Sequence, residues 1–164
     1  MINKTVDDQS LAPSVIAAWA ENFIEEHDLH RLEIINLPNL RNADPDTLKE
    51  LLSRLGAKIG FVETLMASVD SEKVLYEEAA DLAMDGYMAW VQINVENKKR
   101  IAKDSIKSNA YLEDNTIRVY KNKAIRLKVL QIRLEHIRNA LQATYNAVSR
   151  VCGLYIGEME RLRS

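Results

Sequence analysis

Twelve lysines and arginines crowd into residues 96–138, where only five acids accompany them. Lys98, Lys99, Arg100, Lys103 and Lys107 climb one stretch, and Arg118, Lys121, Lys123, Arg126, Lys128, Arg133 and Arg138 descend the next. If these stretches are the arms of an antiparallel hairpin, the clusters superpose around its tip and the charge concentrates in space. Phosphate backbones bind such surfaces by releasing their condensed counterions, and Tyr111 and Tyr120 at the margin are suited to stack on unpaired bases. Between residues 117 and 139 seven basic residues face one acid, Glu135, more than ion-pair patterning along a helix supplies. The plainer reading of the same residues is a solvated helix face, or a face that pairs with an acidic part of the chain.

Other candidates for chemistry are weaker. Glu77, Glu78, Asp81 and Asp85 include an E-x-x-D that puts Glu78 and Asp81 on one helix face. All-α nucleotide pyrophosphohydrolases hold Mg²⁺ with such carboxylates, because hard cations prefer oxygen ligands beside phosphate. They also need an E-x-x-E pair on the preceding helix, where this chain offers only Glu50 and Glu63, thirteen apart. His27 and His30, three apart, could share a metal but lack a third ligand. His136 lies beside the hairpin seam and reads as structural. Cys152 sits in the apolar run 151–156, where a thiol packs and stays inert. Phosphate-loop, dinucleotide and nucleophile-elbow signatures are absent from the sequence. The residues call for no cofactor and no metal, and an enzyme is not expected.

These residues must be positioned by helices. The 164 residues suit about one domain, and 47% are apolar against 28% charged, a globular balance. All three prolines fall in the first 45 residues, and five glycines are too few for strands and tight turns. One cysteine allows no internal disulfide and favours a reducing compartment. The opening MINKTVDDQS has acids where an export signal has an apolar run, and no segment approaches a membrane span. A cytoplasmic protein that meets no membrane is expected. The net charge of −2 hides a split: −10 over residues 1–95, +7 over 96–138 and +1 over 139–164.

A first helix begins at Ser10 or Ser14 and presents Val15, Ala18, Trp19, Phe23 and Ile24. A second begins at Asp44-Pro45-Asp46, a strong capping sequence. It carries Leu48, Leu51, Leu52, Leu55, Ile59, Val62, Met66 and Val69 on one stripe. Gly56 and Gly60 interrupt it, for which close approach of another helix is the expected reason. Asp70 or Ser71 then caps a third helix, with Leu75, Ala79, Leu82, Gly86, Ala89/Trp90 and Ile93 on its buried side. The turn formers of 108–115 make the tip. From Thr116 onward a seam runs through Leu127, Leu130, Leu134, Ile137, Leu141, Thr144, Val148, Val151, Tyr155, Glu158 and Leu162. Ala124, Ile125, Val129 and Ile132 lie off that seam. A two-helix hairpin covers one side only, so these meet the N-terminal helices or a second copy; Ile125, Val129 and Ile132 are the self-association candidates. The fold class is therefore all-α: an acidic helical region over 1–70, then a long antiparallel, coiled-coil-like hairpin over 71–164.

From about Tyr87 to Leu154 the chain resembles the small phage recombination mediators, the UvsY-like group. Tyr87 and Trp90, then Lys98-Lys99-Arg100, a polar turn and a Lys/Arg-flanked return helix carry the likeness, which rests on architecture and charge order. It implies a self-assembling hairpin that binds single-stranded DNA, in the host cytoplasm, as a recombination or replication accessory. The basic positions through Lys128 named above are then the nucleic-acid-binding residues. The alternative expectation is a structural or adaptor protein that grips a helical protein partner through its coiled-coil face; a metal-dependent nucleotide hydrolase is a remote third.

Overall fold

Two carboxylates set the starts of the two long helices. The computed structural model describes residues 14–26, 40, 43–94 and 103–163, and the elements among them are all α-helices. They are α1 (Val15–Glu26), α2 (Pro45–Asn94), α3 (Lys103–Glu113) and α4 (Asn115–Arg163). Asp44 caps α2: its Oδ1 accepts the backbone N–H groups of Asp46 and Thr47, each at 3.0 Å, and Thr47 Oγ1 donates to its other oxygen. Those bonds favour the ionised form and hold the Asp44 carboxyl below its ordinary range. Asp114 caps α4 in the same way, accepting the Thr116 N–H at 2.8 Å. At α1, Ser14 Oγ accepts the Ala17 N–H at 3.0 Å and donates to Glu72 Oε2 at 2.7 Å.

α2 and α4 hold 50 and 49 residues, about 75 Å each at the α-helical rise. They pack antiparallel as the all-α hairpin expected from the sequence. The chain divides into two compact units, one comprising residues up to Ala18 with Ser68–Leu130, the other Trp19–Ala67 with Gln131–Ser164. In the first, Met84, Ala110 and Ile117 form a core cluster that joins α2, α3 and α4, with Ala83, Tyr87 and Met88 packed against it. Tyr76 meets Tyr120 in the same unit, so α4 numbers rise as α2 numbers fall. In the second, Arg138 pairs with Glu63 at 3.3 Å and Tyr145 lies beside Gly56, the same direction. Its core is the expected stripe of α2 against the expected seam of α4. Leu48, Leu55, Ile59 and Val62 are buried on one side, and Leu134, Ile137, Leu141 and Val148 on the other. Each contributes roughly 1.5–3 kcal/mol of burial. Thr144, the polar member of the seam, is half-buried and donates to the Ala140 carbonyl at 3.0 Å.

Several expectations need correction. No helix starts at Asp70 or Ser71: α2 runs through both, and Asp70 accepts an ion pair from Lys73 at 2.6 Å one turn on. Because α2 is continuous, its phase past residue 70 is inherited from Val62 and Val69. Steps of three and four from there reach Lys73, Tyr76, Ala80, Met84 and Tyr87, all buried or half-buried, and Ala79, expected inside, is half-buried too. Leu75, Leu82 and Ile93, expected inside, are 64%, 75% and 80% exposed. A restarted helix could have chosen a new phase; an unbroken one could not.

The tip at 108–115 is mostly helix, since α3 continues to Glu113 and a single residue, Asp114, separates it from α4. Ile106 and Ala110, four apart and buried, hold that segment helical despite its turn-forming side chains. In α1, Phe23 and Ile24 are buried as expected, joined by Ala17 and Ala20, while Val15 and Trp19 lie outside. The glycines of α2 do not serve a close approach. A Cβ at Gly56 would make ordinary contact with Tyr145 at 3.9 Å, and at Gly60 it would meet nothing within 4 Å. The seam of α4 ends at half-buried Tyr155; Glu158 and Leu162 are exposed.

Candidate nucleic-acid interface

The basic positions differ in their exposure and in the groups beside them. Lys121 Nζ lies 3.4 Å from Asp81 Oδ1, linking α4 to α2, and Lys123 Nζ sits 5.1 Å above the centre of the Tyr76 ring. Tyr76 in turn packs against Tyr120, ring centres 6.1 Å apart. A surface pair of this kind is worth about 0–1 kcal/mol and a cation over an exposed ring about 0.5–1 kcal/mol, so neither fixes its lysine strongly. Arg118 donates to Asn115 Oδ1 at 2.6 Å and remains exposed, as do Lys107, Arg126, Lys128 and Arg133. Arg138 is engaged with Glu63 and Asn139 in the other unit. Lys103 opens α3, in whose first turn Asp104 also lies. Lys98, Lys99 and Arg100 fall outside the described residues.

A shallow cavity of about 380 Å³ lies among α2, α3 and α4 of the first unit, lined by Asp81, Asp85, Met84, Met88, Lys107, Tyr111 and Lys121. It brings Lys107, Lys121 and Tyr111 together. It also places two members of the acidic cluster opposite them, as in the plainer reading of the basic face: the acids of α2 partly answer the bases of α4. Beyond it, Tyr111 is 39% exposed and Trp90 57%. Trp90, expected on the buried side, is exposed. Tyr87 packs near Trp90, ring centres 6.1 Å apart, and its hydroxyl donates to Glu113 Oε2. That bond, together with the negative charge of Glu113, pushes the Tyr87 hydroxyl up to about 12.

Ile125, Val129 and Ile132 are 60%, 51% and 47% exposed, while Ala124 is buried. The carboxylates Glu77, Glu78, Asp81 and Asp85 are exposed along α2. Among the described residues no group of three His, Cys, Asp or Glu side chains is placed to hold a metal ion. His136 is exposed and Cys152 half-buried, while His27 and His30 lie outside the described residues. No helix among the described residues is long and apolar enough to cross a membrane. No family model matches the chain, and no curated protein and no solved structure is significantly similar to it.

Proposed function

We propose that this is a non-enzymatic, self-assembling helical protein that binds single-stranded nucleic acid through the first unit, in the manner of a recombination or replication accessory. The observation that carries the reading is the combination of open rings and open cations on one unit. Trp90 and Tyr111 are exposed, and so are Lys107, Arg118 and Lys128 on α3 and α4. Cations track the backbone and rings accept bases, which is how sequence-tolerant single-strand binders work. The weakly held Lys121 and Lys123 are available to exchange Asp81 and Tyr76 for phosphate. Lys98, Lys99, Arg100 and Lys103 extend the same charge along the sequence.

Retention of oligothymidylate at low ionic strength tests this directly. Lys107→Glu together with Arg118→Glu is expected to weaken retention by about tenfold or more while leaving the helical circular dichroism intact. Trp90→Ala is expected to cost about 1–3 kcal/mol of binding through lost stacking. Unchanged retention in both variants sinks the proposal.

A second reading, a structural or adaptor protein that grips a helical partner, is favoured by the apolar side chains left open on both long helices.

A further inference from the structure

The first unit carries two outward apolar stripes whose flanking charges have opposite sign. On α2, Leu75, Leu82 and Ala89 recur every seven residues and all are exposed, with exposed Glu78 and Asp85 beside them at the same interval. On α4, Ile125 and Val129 are exposed four residues apart, and Arg118, Arg126 and Lys128 surround them.

We infer that a second copy of this chain covers these stripes, the acid-flanked stripe of α2 on one copy seating against the base-flanked stripe of α4 on the other. This rests on the self-assembly part of the reading above and names both of its surfaces. Two features favour that occupant. Both stripes follow the heptad spacing that lets side chains of one helix enter the gaps of another. Pairing α2 with α2, or α4 with α4, would bring like charges together, whereas α2 with α4 matches acid to base along the rim.

The test is mass in solution by light scattering, without nucleic acid, on the full chain. Wild-type protein is expected to exceed the mass of one copy at low ionic strength. Glu78→Lys with Asp85→Lys in one variant, and Arg118→Glu with Lys128→Glu in another, should each weaken association by about tenfold or more. An equimolar mixture of the two should regain the wild-type mass, because each reversed stripe then meets its opposite on the other chain. Leu82→Gln with Val129→Gln alters only exposed side chains; it should keep the helical signal and lose the association. A single-copy mass for wild-type protein, a wild-type mass for both reversed variants, or a mixture that fails to associate would each overturn the inference. Failure of nucleic-acid binding with this assembly intact would count against the proposed function alone.

Discussion

The two halves of α2 carry similar apolar periodicity and meet opposite fates. From Leu48 to Val69 the stripe read from the sequence is the stripe that is buried, with Leu48, Val62 and Val69 fully enclosed. From Leu75 to Ile93 an equally regular stripe faces outward, and a row of smaller or mixed side chains, Ala80, Met84 and Tyr87, does the packing. The difference teaches that periodicity establishes a helix and a face but not the partner of that face. On an unbroken helix the phase is set once. The second stripe is then available for something outside the hairpin, and it lies in the unit that also holds the open cations and rings.

The comparison is most severely tested by leucine truncation on the same helix. Leu48→Ala should lose about 2–5 kcal/mol in denaturant unfolding, since a fully enclosed leucine leaves a cavity. Ser71→Pro should cost about 3 kcal/mol, because it falls inside a continuous helix; at a true helix start, proline would be accepted. Stability unchanged by that substitution would restore a break at residue 70 and free the second stripe to rephase. Tyr87 should titrate about two pH units above an ordinary tyrosine, near 12, as followed by tyrosinate absorbance. Glu113→Gln should bring it back toward the ordinary value, because both the charge and the carboxylate acceptor are lost. The sign is that of a raised group: any stability from this bond is present below about 10 and lost as pH rises through about 12. Leu82→Ala should change stability by no more than about 0.5 kcal/mol, its side chain being three-quarters exposed already. A loss there comparable with that at Leu48 would erase the distinction between the halves.

Much of this was legible in the residues. The Asp44-Pro45-Asp46 start, the stripe of α2 through Val69 and the seam of α4 through Tyr155 followed from capping chemistry and spacing alone. What failed had local causes. Asp70 and Ser71 are common cap residues, but nothing ahead of them ends the preceding helix, and the Asp70 carboxylate pairs with Lys73 one turn on. The run Ser108-Asn109 read as a turn because its side chains favour turns, yet burial of Ile106 and Ala110 outweighed that preference. The pairing of Lys121 with Asp81 depends on a register between two helices forty residues apart in sequence, which composition does not contain. A phase count carried unbroken from Val62 would have found the outward faces of Leu75 and Leu82.

The central claim is that the outward surface of the first unit binds the backbone of single-stranded nucleic acid. Titration of oligothymidylate across a series of salt concentrations measures it most directly. If several phosphates are neutralised, the logarithm of the affinity should fall linearly with the logarithm of salt, by about 0.7 for each phosphate engaged. Lys107→Glu and Arg118→Glu should each make that slope shallower. Absence of binding at the lowest salt, or an affinity indifferent to salt, would contradict the account.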